Sequence, residues 1–81
     1  MPVVQIFGSF RAFTDGRAEV TVKGTTFKQV LDALAHDWPA LAPVIDEGVS
    51  LAIDGRMIKD SWFEPVREDS EVVLMPQMQG G

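Results

Sequence analysis

Apolar residues follow two different periods along this chain. From Thr26 to Pro39 they recur at Phe27, Val30, Leu31, Leu34, Ala35 and Trp38, spacings that line one stripe of an α-helix. Lys28, Asp32, His36 and Asp37 fall on the other face or at the edges of the stripe. Thr26 stands at the N-cap position, and Gln29, three residues on, completes a capping-box pattern. Pro39 ends the helix, because a proline pushes the residue before it out of helical geometry. Elsewhere the pattern is that of strands. Val3-Val4-Gln5-Ile6-Phe7 is a β-branched and aromatic run that Gly8-Ser9 ends or bends. Ala18-Glu19-Val20-Thr21-Val22 alternates, which predicts a second strand with one buried face after the turn signal Thr14-Asp15-Gly16. Leu51-Ala52-Ile53 and Arg56-Met57-Ile58 flank Asp54-Gly55, the favoured pair of a type I′ hairpin, and Glu71 to Met75 forms the last strand. Leu41 to Ile45 predicts a short turn that closes one end of the core, and Phe63 or Val66 plugs the core from the loop before the last strand. Trp62 reads as a packed aromatic beside them.

The element order is strand, strand, helix, strand, strand, strand, an α+β arrangement in which one amphipathic helix covers one apolar face of a mixed sheet of about five strands. That packing sets Val20, Val22, Leu51, Ile53 and one set from the last strand against Leu31 and Leu34. If Val4, Ile6, Val72 and Leu74 face the helix, the period of two sends Val3, Gln5, Phe7, Val73 and Met75 to the opposite side. Phe7, Val73 and Met75 would then form an apolar partner patch.

Composition narrows the function classes. With 81 residues the chain is expected to form one domain with a single small core, and a surface or an end, not an enclosed catalytic pocket, must carry the function. Cysteine is absent, which excludes disulfides, thiolate metal sites and cysteine nucleophiles, and the lone His36 cannot build a multi-histidine metal site. Glu64, Glu68, Asp69 and Glu71 read as solvated carboxylates, not an acid-base pair. The net charge of -5, with the basic residues scattered, disfavours nucleic acid and suits a partner with a basic face. No run approaches the ~18 apolar residues of a membrane span, and Met-Pro-Val-Val-Gln lacks the flanks of a signal peptide, so a cytoplasmic location is expected.

The candidate chemistry lies at Gly80-Gly81. Two residues without Cβ atoms make a thin stem that enters a narrow cleft, and Gly81 carries the carboxylate. Residues 1–75 read as the domain and 76–81 as a flexible tail, which two glycines make costly to order. Pro76 biases the tail to an extended path, and the unbranched thioether of Met78 suits an irregular apolar channel. Sulfur carried by a chain without cysteine must sit on that carboxy terminus.

These residues resemble the MoaD/ThiS family of ubiquitin-like sulfur carriers over nearly the whole chain, with a pattern closest to the small subunit of molybdopterin synthase. The resemblance rests on Val4-Gln5-Ile6-Phe7 leading to Arg11, the helix from Phe27 to Leu34 closing at Trp38-Pro39, the hairpin through Asp54-Gly55, and Glu71-Val72-Val73-Leu74-Met75-Pro76 followed by Gly80-Gly81. Glu68-Asp69-Ser70-Glu71 departs from the family's Asp-Gly-Asp-Glu-like turn. The resemblance implies a β-grasp fold with the first and last strands central and side by side. It also implies a reaction at Gly81: a ubiquitin-activating-like adenylyltransferase, using ATP and magnesium, makes an acyl-adenylate, and a sulfur donor enzyme converts it to a thiocarboxylate. The acceptor would be an enzyme such as the large subunit of molybdopterin synthase. This chain would bind no cofactor or metal itself and would serve as a protein co-substrate, with Gly80 keeping the approach narrow and Phe7, Val73, Met75, Pro76 and Met78 meeting the partner. Carriage into cysteine, thiazole, tRNA or specialised-metabolite pathways, a modifier joined to lysines through Gly81, and a β-grasp interaction module with an inert tail are the alternatives.

Overall fold

The computed structural model describes residues 1–59 and 61–77. Five strands, β1 (Val3–Ile6), β2 (Glu19–Thr21), β3 (Val49–Ile53), β4 (Arg56–Ile58) and β5 (Glu71–Pro76), form one sheet in the order β2-β1-β5-β3-β4. The last strand is thus central. It runs parallel to β1, with Val4 opposite Val72 and Ile6 opposite Leu74, and antiparallel to β3, with Leu51 opposite Leu74 and Val49 opposite Pro76. The edge strands β2 and β4 pair antiparallel with β1 and β3. With the helix α1 (Phe27–Asp37) on one face, this is the β-grasp arrangement.

The strand pattern explains the register. Alternate residues Val4 and Ile6, Val72 and Leu74, and Leu51 and Ile53 are buried, and they meet Phe27, Val30, Leu31 and Leu34 from α1 in a single core. Slipping either central strand by one residue would turn its whole apolar set to water, so burial fixes the pairing. Val66 and not Phe63 plugs this core from the loop; Phe63 is 82% exposed. Trp62 is half exposed, with one edge against the Phe27 ring at a centroid distance of 5.6 Å.

The start of α1 differs in one detail from its sequence signature. Thr26 does cap the helix, accepting from the Gln29 amide at 3.2 Å. The Gln29 side chain, however, reaches past Thr26 and accepts from the backbone amide and hydroxyl of Thr25, both at 2.9 Å. The amides of Phe27 and Lys28 are free for the loop because first-turn donors lack helical partners, and they donate to the carbonyls of Glu64 and Trp62. That clamp holds the 61–66 loop against the helix.

Two connections carry more structure than their sequences announce. The link after β1 is a 3-10 helix, Gly8–Thr14, closed by Asp15 in the left-handed region, and Thr14 is buried with its hydroxyl near the carbonyls of Arg11 and Arg17. After α1 a 3-10 turn, Pro39–Leu41, runs into α2 (Ala42–Glu47), where a simple turn was expected. Leu41 is buried there and Val44 and Ile45 pack against the core, so the segment does close one end of it. The hairpin is as expected: Asp54 and Gly55 both have positive φ, 51° and 82°. The turn before β5 needs no glycine. Ser70 Oγ accepts from the Arg67 amide at 2.9 Å and the Ser70 amide donates to the Arg67 carbonyl at 3.0 Å, closing the turn.

Candidate functional site

Because β1 and β5 are parallel, their carboxyl ends lie at the same end of the sheet, and β1 leads into Phe7 beside the root of the tail. The Phe7 amide donates to the Leu74 carbonyl at 3.0 Å, extending the ladder one step beyond β1. That step brings Phe7 alongside Met75 on the face turned away from α1. Phe7, Met57, Met75, Pro76 and Gln77 line a groove of about 190 Å³ there, its walls almost wholly apolar. Three of the sequence-derived partner residues, Phe7, Met75 and Pro76, therefore meet in one groove. Val73 lies one row away on the same face, half-buried between Gln5 and Ala52. Met78, Gly80 and Gly81 lie outside the described residues. The strand itself runs through Pro76, which pairs with Val49.

Met57 was missed in the sequence, although a signal for it was present. The Asp54-Gly55 hairpin fixes Ala52 opposite Met57, and Ala52 is opposite Val73, so the open face continues across three strands to an edge side chain that is 49% exposed. The aromatic surface also extends the other way. The 3-10 helix after β1 sets Phe10 edge-on to Phe7 at 6.4 Å and Phe13 near Phe10 at 6.5 Å. Arg11 bends back so that its Nε donates to the Ile6 carbonyl at 3.1 Å, which fixes a guanidinium at the tail end of the sheet. Exposed aromatic and methionine side chains with one anchored cation at the rim make this a candidate protein-docking surface, since large clustered apolar groups seldom face water without a use.

A second groove, about 330 Å³, opens on the helix side of the same sheet end, between Lys28 and Leu31 of α1, Val49 of β3, Trp62 and Gln77. Its charged lining is Lys28, paired with Asp32 at 2.7 Å, together with Asp46 and Lys59. Among the described residues no His, Cys, Asp or Glu cluster is placed to hold a metal ion, and no helix is long and apolar enough to cross a membrane. His36 is exposed, its Nδ1 3.1 Å from an Asp37 carboxylate oxygen. The chemistry this surface supports is recognition of a partner beside the tail root.

A β-grasp domain with an apolar open face at the root of a Gly-Gly tail defines the class of ubiquitin-like proteins. The chain belongs to the ThiS family, ubiquitin-like sulfur carriers and modifiers, whose family model matches residues 4–81. Solved structures share the fold. A chain of the Amycolatopsis orientalis BexX/CysO complex superposes with a TM-score of 0.78 at 16% identity, covering 100% of both chains. Mycobacterium tuberculosis CysO, described as an antigen, gives 0.81 at 15% identity over 96% of this chain and 100% of that one. The small archaeal modifier protein 1 of Methanosarcina acetivorans gives 0.78 at 24% identity over 98% and 94%. No curated protein matches the sequence.

Proposed function

We propose that this chain is a sulfur carrier that works through its Gly81 carboxylate. The observation that carries the reading is the match to the ThiS family, which runs through Gly80 and Gly81. Two facts support it: the chain has no cysteine to hold sulfur as a side-chain thiol, and an apolar groove lies beside the tail root. A carboxylate resists nucleophiles because its charge is delocalised and it has no good leaving group. Attack by a Gly81 oxygen on the α-phosphorus of ATP releases pyrophosphate and forms an acyl-adenylate. A hydrosulfide-level donor then attacks the carbonyl carbon, the C–O bond to AMP breaks, and the thiocarboxylate remains. The catalytic groups, the ATP and the magnesium belong to a ubiquitin-activating-like adenylyltransferase, so this chain is the substrate of that step.

The acceptor we favour is the large subunit of molybdopterin synthase, on the pattern of strands and tail. Acceptors in cysteine, thiazole, tRNA or specialised-metabolite pathways would use the same carrier chemistry, and the enzyme that takes the sulfur distinguishes them. The test is reconstitution with the adenylyltransferase of the same genome, ATP, magnesium and sulfide, read by intact-mass spectrometry with fragmentation. The expected product carries the mass increment of one oxygen replaced by sulfur, located at Gly81. Unchanged mass under conditions where a control carrier is converted would overturn the reading.

The naming of one structural neighbour as a modifier protein supports a second use of the same activated carboxylate, isopeptide formation with lysines. In extracts of the source cells a ladder of heavier species that vanishes when Gly80-Gly81 is deleted would favour conjugation. Free protein alone would favour carriage.

A further inference from the structure

Gln77 is the first residue beyond β5, and its side chain lines both grooves at the tail end of the sheet. The side-chain amide lies over the backbone of Gly48, in the space a Cβ at position 48 would occupy. Gly48 is itself firmly held. Its amide donates to the Ile45 carbonyl at 3.1 Å, ending α2, and the next residue, Val49, pairs with Pro76. Its φ of 120° is a conformation that favours glycine, so this bare backbone is a feature of the local path and not a tolerance of it. The last strand pair therefore has one further contact, made by a side chain and not by the ladder.

We propose that Gln77 is a positioning residue that fixes the root of the tail between the two grooves before a partner binds. The contact orders one residue past the final strand pairing, at a position that borders both grooves. A partner that docks on Phe7, Met57 and Met75 then meets a tail whose first step is already directed. The inference rests on the proposed activation at Gly81, and its effect is on capture of the tail and not on the chemistry at the carbonyl. Removing the contact should therefore raise the KM of the carrier in adenylation and leave kcat at saturation unchanged. Fixing one residue's backbone costs about 1 kcal/mol, which sets the expected rise in KM at about fivefold.

The test compares Gln77→Ala with Gln77→Met, which keeps the length and packing of the side chain without its amide. In the isolated protein, the wild type should show a nuclear Overhauser contact between the Gln77 side chain and the Gly48 α-protons, with a rigid backbone amide at Gln77. Gln77→Ala should lose that rigidity and Gln77→Met should keep it, at unchanged Tm. In pyrophosphate exchange with the adenylyltransferase, Gln77→Ala should show the higher KM and Gln77→Met should restore it. A missing contact in the wild type, an equally rigid Gln77 in the alanine variant, or a fall in kcat without a change in KM would overturn the proposal. Wild-type protein that shows the contact but supports no exchange would instead overturn the activation reading and leave the positioning of the root standing on its own readout.

Discussion

Leu74 and Met75 are neighbours in β5 on opposite faces of the sheet, and truncating them should have very different costs. Leu74 is fully buried on the central strand, between Ile6 of β1 and Leu51 of β3. Tight neighbours on both sides leave little room for collapse, so Leu74→Ala should cost about 3–4 kcal/mol, within the range for buried leucines. At ~0.05–0.15 kcal/mol per residue the whole domain is stable by only about 4–12 kcal/mol, so this change removes roughly a quarter or more. At roughly 4–8 °C per kcal/mol for a domain of this size, the melting temperature should fall by about 15–30 °C. Met75 faces the open side, half-buried in the groove with Phe7 and Met57. Met75→Ala should cost about 1 kcal/mol of stability or less, while removing apolar area that a partner would cover, worth about 1 kcal/mol or fivefold in Kd. Thermal melts by circular dichroism read the first pair of numbers, and titration calorimetry against the adenylyltransferase reads the last. Equal losses of stability in the two variants would refute the assignment of faces, and undiminished binding by Met75→Ala would remove the groove from the docking surface.

Three other perturbations test separate parts of the argument. Thr26→Ala should lower stability by about 1 kcal/mol by removing the oxygen that accepts from the Gln29 amide, and Thr26→Ser should retain it, both read from chemical denaturation. Gly55→Ala should cost about 1–2 kcal/mol from backbone strain alone, since its φ is 82° and no atom crowds the position, whereas Gly8→Ala, equally uncrowded and without positive φ, should fall within about 0.5 kcal/mol of wild type. Arg17→Ala should cost about 0.5–1 kcal/mol, because the Arg17 guanidinium stands 5.7 Å from the centre of the Trp38 ring; loss of that stability together with a change in tryptophan fluorescence is the expected result.

Much of the fold was legible because its signals are local. The helix from Thr26 to Pro39 is announced by a stripe, a cap and a terminator, and Asp54-Gly55 states its own turn. The 3-10 helix at Gly8–Thr14 and the helix Ala42–Glu47 were not legible in this way. Neither has a full turn-by-turn apolar period, and Phe10 in the first and Val44 and Ile45 in the second pack against a core that other elements build. The same limit governed the aromatic pair: Trp62 and Phe63 are adjacent and similar, and only the position of the loop decides that Trp62 meets Phe27 while Phe63 faces water.

Alternation along the chain, a type I′ turn pair and the absence of cysteine are properties of residue order, so the α+β class, the two faces of each strand and the terminal glycines as the candidate site followed from the amino acids themselves. The order of the strands, the parallel pairing of β1 with β5, and the meeting of Phe7, Met57, Met75 and Pro76 in one groove depend on contacts between distant segments. Periodicity says which side of its own strand a side chain takes; only the packed sheet says which other strands share that side, and so which surface lies beside the tail.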